Sequence, residues 1–233
     1  MKYARSLFWS LLVIAGIVSM AMAHDTFLGT AKAITKVPTT HKVTVLTFDD
    51  GPHPHTTLQL LAVLKAKQVK ATFFVLGSQA EKYPGLLAEI AANGHEIESH
   101  GYTHHFLNKL SQGELAKEIE KTEKAIGAVA PKPTLIRPPG GGYNDRVVAE
   151  LSKRGYTTIL WTIDPRDWCA QSADQIIGAV IRKIEPGSIV LLHEGACARY
   201  TPEALGVIID RLQERGYTFI TVSELLQYYE IRH

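Results

Sequence analysis

Cysteine, charge of one sign and internal repetition are all scarce in this chain. Two cysteines, Cys169 and Cys197, allow at most one disulfide in 233 residues. A disulfide-stapled scaffold is therefore excluded, and the fold must rest on a hydrophobic core, for which this length is ample. Lys and Arg number 25 against 23 Asp and Glu, giving a formal net charge of +2 with the two signs interspersed. No basic stripe runs along the chain, which sets nucleic acid aside as the main partner. Tandem repeats and low-complexity linkers are also missing, and one domain is the organisation this leaves.

Long apolar runs are confined to the first 23 residues. Lys2 and Arg5 precede "LFWSLLVIAGIVSMAMA", which ends in Ala21-Met22-Ala23. A basic start, a short apolar centre and an A-x-A end form the pattern of a secretory signal peptide. The run also approaches the length of a spanning helix, so an uncleaved membrane anchor is the alternative, and only then is a membrane a partner. Both place the remainder outside the cytoplasmic membrane, in the periplasm, the cell envelope or the extracellular medium. Residues 24–41 read as a flexible lead-in and 42–233 as the domain that carries the chemistry.

From residue 43 onward, short β-rich runs alternate with longer runs of helical spacing. The expected strands are Val43 to Phe48, Ala71 to Leu76, His95 to Ser99, Thr134 to Arg137, Thr157 to Ile163, Ser188 to His193 and Tyr217 to Val222. Between them, "AEKYPGLLAEIAANG" places Tyr83, Leu86, Leu87 and Ile90 on one helix face and stops at Gly94. Ser111 with Glu114, and Ser172 with Gln175, stand at capping-box spacing, and Thr201 is the expected N-cap of a helix with Pro202 in its first turn. Seven βα units predict an α/β fold with a parallel sheet, closed or open. Asp49-Asp50, His100, Arg137, Asp164 to Trp168 and His193 all fall at C-terminal strand ends. A flat sheet with strands about 4.8 Å apart would spread them along a wide edge. A (β/α) barrel, distorted by having seven parallel strands, would gather them at one mouth.

"VTVLTFDDGPHPH" ends a buried strand in two adjacent carboxylates. Neighbouring strand residues point to opposite faces, so Asp49 and Asp50 converge only where the chain turns, as Gly51-Pro52 allows. His100 and His104 are four residues apart; on a helical turn that spacing puts two imidazoles on one face, able to bind one cation, for which zinc is the first expectation. One aspartate completes three ligands and leaves a position open, and the other is free to take a proton from water; the spacing does not say which is which. Arg137 can hold a carboxylate bidentately or form a plain rim bridge, and glycines 140 to 142 allow close backbone approach. His193 could be a packed core residue, or a general acid if an acid such as Asp167 fixes one ring nitrogen. Trp168 either walls a groove or packs inside. His53, His55 and His105 have no geometric claim and read as loop residues.

"TFDDGP", "HGYTH", "RPPGGGYN", "DPRDW" and "LLH", with "KATFFVLG" and "GHEIESH" between them, resemble in order the five motifs of the polysaccharide deacetylases, the nodulation-protein-B-like domain of carbohydrate esterase family 4. The likeness spans roughly Lys42 to Leu226. It implies a distorted barrel, a divalent metal, usually zinc, and removal of acetyl groups from N-acetylated glycans. It implies Asp49 as catalytic base, Asp50, His100 and His104 as metal ligands, Arg137 as partner of Asp49, and His193 tuned by Asp167 as the acid. Trp168 and Leu191 would line the acetyl pocket, and the Gly140 N–H would meet the oxyanion. Two departures stand out: Gly140 where the family often has Tyr or Phe, losing one aromatic wall, and Gly101 where Ser or Thr is usual. Cys169 and Cys197 follow the fourth motif and the His193 strand, so a disulfide between those loops is expected.

Overall fold

A computed structural model describes residues 33–229. The segment read as signal peptide or anchor, and the first part of the lead-in, lie outside the described residues. Among those described, no helix is long and apolar enough to cross a membrane.

Seven parallel strands form one sheet: β1 (Val43–Asp49), β2 (Thr72–Val75), β3 (Glu96–Ser99), β4 (Leu135–Ile136), β5 (Thr157–Thr158), β6 (Ser188–His193) and β7 (Thr218–Phe219). Their order is β5-β4-β3-β2-β1-β6, and β7 pairs with the lower half of β1. Strand β1 is buried along its whole length, as a central parallel strand covered on both faces must be. Its alternation assigns the faces. Leu46 and Phe48 join Phe73, Val75, Val190 and Leu192 in the outer core against helices α1 (Thr56–Ala66), α6 (Ala173–Lys183) and α7 (Thr201–Glu214). Val43 and Val45 turn inward with Phe74, Leu135, Ile159 and Ile189. Thr47 and Asp49 follow them on the same inner face.

The sheet is curled into a barrel. On a flat sheet β1 and β4 would stand about 14 Å apart, three strand spacings. Yet Arg137, just past β4, reaches Asp49 at the end of β1 with an Nη1–Oδ1 distance of 2.6 Å. The barrel does not close by strand pairing alone. Beyond Thr158 the expected long fifth strand continues only as isolated bridges, one of them Ile163 to Val190 of β6. The stretch from residue 33 fills the remaining gap. Ile34 and Val37 are buried, Ile34 N–H donates to Thr158 O (2.9 Å), Leu160 N–H donates back to Ile34 O (2.8 Å), and Val37 N–H donates to Gly187 O (3.1 Å). A Cβ on Gly187 would lie 1.8 Å from Val37 O, so only glycine lets the two segments meet. The described part of the expected flexible lead-in is thus a packed stave, recruited because two-residue strands leave backbone groups and apolar surface that must be covered.

Local signals are honoured unevenly. The helix expected across Tyr83 is broken into α2 (Gly77–Lys82) and α3 (Pro84–Ala92), because Pro84 lacks an N–H and fits only a helix start. The Ser111–Glu114 capping box opens α4 (Gln112–Gly127). The Ser172–Gln175 box does not form; Gln175 accepts instead from the Gln171 N–H. Thr201 is the first residue of α7 rather than its N-cap, and its hydroxyl is used elsewhere. Helix α5 (Asp145–Lys153) is capped by Asn144, and α8 (Val222–Leu226) packs beneath the inner core.

The expected disulfide is not formed. Cys169 and Cys197 are both free and exposed, and the Cys169 thiol donates to Arg166 O at 3.4 Å. Titration of the denatured, unreduced protein should therefore find two thiols per chain; finding none would contradict this geometry.

Candidate active site

Asp49 and Asp50 diverge because the backbone changes hand between them. Asp49 ends β1 and is buried on the inner face, while Asp50 adopts φ +75°. Left-handed conformation is uncommon outside glycine but tolerated by Asp and His. His104 shares it at φ +67°. The His100–His104 segment is an irregular loop after β3, not the helical turn expected, and left-handed His104 and Gly101 bring the two rings to 5.3 Å between centroids. Strain of this kind, on the order of 1–3 kcal/mol per residue, persists where surrounding structure imposes it.

Asp50, His100 and His104 have ligand-capable atoms all within 4.8 Å of one another, and they form the candidate metal group among the described residues. Asp50 Oδ1 lies 3.5 Å from His100 Nε2 and 3.2 Å from His104 Nε2. Ligands about 2.05 Å from a tetrahedral ion stand about 3.4 Å apart, so the spacing fits a divalent cation. Asp50 Oδ1 is also a buried oxygen with no hydrogen bond among the described residues, the condition of an acceptor kept for a cation. His100 Nδ1 lies 2.8 Å from Arg137 O, which, with the proton on Nδ1, leaves the Nε2 lone pair directed at the group. Burial lowers His100 to about 3 against the pull of Asp50, so the ring stays neutral, as a ligand must.

A second helix holds this loop. Glu118 of α4 accepts from Tyr102 N–H (2.8 Å), Thr103 N–H (2.9 Å) and Thr103 Oγ1 (2.8 Å), between the two histidines. Nothing in the sequence marks this mid-helix acid, buried though it is. Groups supporting metal ligands contribute about 10–100-fold to affinity. Glu118→Ala should weaken binding of a divalent ion by that amount in competition with a chromogenic chelator; unchanged affinity would remove Glu118 from the account.

Arg137 is fully buried, stacked 4.2 Å from the centroid of the Phe74 ring. Its Nη1 donates to both Asp49 Oδ1 (2.6 Å) and Thr47 Oγ1 (2.7 Å), and its Nη2 to Leu160 O (3.0 Å). The expected bidentate clamp is thus a single-nitrogen contact, because Thr47 and Asp49 share the inner face and compete for the same nitrogen. Burial pushes the Asp49 carboxyl above its ordinary value, and Arg137 and His193 oppose that rise.

Strand register supplies the third group. β1 and β6 pair Asp49 with His193 and Thr47 with Leu191, which sets all four on the inner face, Leu191 buried one step below His193. Asp167 is buried in the turn Asp167–Cys169. Its Oδ1 lies 2.7 Å from His193 Nδ1, and its Oδ2 accepts from His193 N–H (2.8 Å) and Thr201 Oγ1 (2.7 Å). Thr201 is the hydroxyl that the capping pattern misassigns. Burial alone would lower His193, but the hydrogen bond and charge of Asp167, with Asp49 behind them, raise it to about 9. Glu194, the next residue, is pushed up to about 8 by burial, partly offset by the Thr57 hydroxyl.

Trp168, in the same turn as Asp167, is about half exposed rather than packed inside. Gly140 adopts φ +57°, and a Cβ there would lie 2.4 Å from the Phe106 ring. The sequence pattern brings together all the expected polar residues; His53, His55 and His105 stay in loops outside this cluster.

Comparison with known proteins agrees with this architecture. Residues 36–159 match the family model described as polysaccharide deacetylase. A peptidoglycan-N-acetylglucosamine deacetylase of Bacillus cereus is 39% identical over 83% of this chain and 92% of its own. A chitooligosaccharide deacetylase of Bradyrhizobium is 37% identical over 77% and 89%. The crystal structure of the Bc1960 peptidoglycan N-acetylglucosamine deacetylase, bound to a hydroxamate, superposes with a TM-score of 0.83 at 33% identity, covering 89% of this chain and 98% of that one. With the five motifs gathered at one barrel mouth and more than half of the chain under the family match, this protein belongs to the polysaccharide deacetylase family.

Proposed function

We propose that the chain is a metal-dependent hydrolase that removes N-acetyl groups from an exported or envelope glycan, with peptidoglycan the first substrate and chitin-like N-acetylglucosamine oligomers the second, and that zinc is its native metal. The observation that carries this is a pair of proton-transfer groups at the same strand ends as the Asp50–His100–His104 cluster, Asp49 seated on Arg137 and His193 seated on Asp167. A cation held by that cluster supplies Lewis-acid polarisation of the acetamide carbonyl and acidifies water.

Asp49 takes the proton of the attacking water. Its burial strengthens it as a base, while Arg137 keeps it oriented and ionised. The Gly140 N–H meets the developing oxyanion. His193 enters the reaction protonated and delivers its Nε2 proton to the departing nitrogen, since Nδ1 is committed to Asp167. Leu191 and Trp168 enclose the acetyl methyl. An amine is a poor leaving group until protonated, and a histidine raised to about 9 remains charged at neutral pH; this favours an amide over an ester, which needs no such acid. Residues 1–23 direct export in this account.

The test is acetate release from isolated peptidoglycan, N-acetylglucosamine oligomers and acetylated xylan. Release from an N-acetylated glycan well above that from xylan is expected; release from xylan alone would make the chain an acetyl-ester hydrolase on the same scaffold.

A further inference from the structure

Among the described residues, the exposed large hydrophobics include two aromatic rings, Phe106 at 52% and Trp168 at 49%. Each ring keeps about half of its surface in water, apolar area that a bound apolar face would cover. Trp168 adjoins Asp167 on one side. Phe106 lies two residues past His104, on the loop that carries the two histidines of the candidate metal group.

The seat of Phe106 is built for it. An ideal Cβ on Gly140 would fall 2.4 Å from Phe106 Cε1, and one on Gly142 would fall 2.7 Å from Phe106 Cδ1. No side chain at 140 or 142 could coexist with the ring where it stands. Gly140 is held at φ +57°, a conformation that disfavours side chains for a second reason. The two loops are fastened by Asn108 N–H donating to Gly142 O at 3.2 Å. Leu107, the next residue, is fully buried beside Leu115 and Ile119 of α4, which anchors the backbone while the ring points outward.

We propose that Phe106 is a specificity-determining residue, whose exposed ring is the platform for the apolar C–H face of the pyranose at or next to the reacting unit. The Gly140–Gly142 turn exists to admit it. This rests on the glycan reading above. Pyranose rings present axial C–H groups on one face, which pack on aromatic surface without losing their hydroxyl hydrogen bonds.

The experiment measures kinetics and, separately, calorimetric affinity of the metal-loaded protein for an N-acetylglucosamine pentamer. Phe106→Ala should raise KM and Kd by about tenfold, a loss of about 1.4 kcal/mol, with kcat falling much less. Phe106→Tyr should restore both. Equal affinity of wild type and Phe106→Ala overturns the proposal. So does a Phe106→Ala variant that loses kcat and bound metal together, since that would make the ring a brace for the His104 loop. Wild-type protein that binds the pentamer through Phe106 but releases acetate neither from it nor from isolated peptidoglycan upholds the platform and sinks the deacetylase reading; no binding of either glycan and no release from either sinks both.

Discussion

Asp49→Asn is expected to lower the rate of acetate release by about 10³-fold, within the range that a positioned general base contributes, while the barrel and its metal group stay intact. Asn preserves the shape and one acceptor for Arg137 Nη1, which stands 2.6 Å from Asp49 Oδ1. It removes the negative charge and the basic lone pair. Arg137 is then a buried cation without its counter-charge, so some loss of stability accompanies the change; truncation to Ala would cost more, on the order of 3–5 kcal/mol. Asp50, His100 and His104 are not altered, so metal content should match the wild type. Steady-state rates, metal analysis and a thermal melt on one preparation separate these effects. Wild-type turnover in Asp49→Asn would remove it as the base, whereas loss of metal would make it a ligand.

His193→Ala carries the second large effect, and it should depend on the leaving group. An amide needs the departing nitrogen protonated, so N-acetyl substrates should lose about 10²–10⁴-fold. An activated aryl acetate, whose phenolate leaves unaided, should lose far less. Equal losses on both would show that His193 acts in some other way, for instance by supporting Asp49 across the β1–β6 register. The pH dependence follows from the same pair. His193 is raised from 6.5 to about 9, so the protonated acid is available at neutral pH and is lost as pH rises through 9. Asp167→Asn removes the charge that raises it, and the alkaline limb of kcat should move down by at least one pH unit. The linked stability has the same sign: the Asp167–His193 contribution is fully present below about pH 6.5 and disappears as pH rises through 9. An alkaline limb unmoved in Asp167→Asn would assign that limb to another group.

The sequence carries the site further than it carries the barrel's closure. Chemistry-bearing residues at strand ends are legible because parallel strands all present their C-terminal ends to one side, and the mostly continuous apolar run of β1 announces a central strand. The division between Asp49 and Asp50 is not legible from spacing, since it depends on Asp50 turning left-handed at φ +75°; the family resemblance had to assign it. The packing of Ile34 and Val37 between β5 and β6 is hidden for a different reason. Ile34-Thr35-Lys36-Val37, apolar only at its two ends and followed by Pro38, gives no period-two strand signal, and it is held by the gap that two-residue strands leave. Glu118 and Thr201 are missed because each looks like an ordinary helix residue whose partner lies on another element. Phe106 is missed because its meaning depends on two glycines more than thirty residues away.

The central claim is that one cation held by Asp50, His100 and His104 is required for acetate release from an N-acetylated glycan. The most direct measurement is acetate release by the purified protein on the best glycan substrate before chelation, after chelation, and after restoring one equivalent of zinc. The account predicts release, its loss and its recovery, with His100→Ala failing to recover. Full release from the stripped protein, or full recovery in His100→Ala, would contradict it.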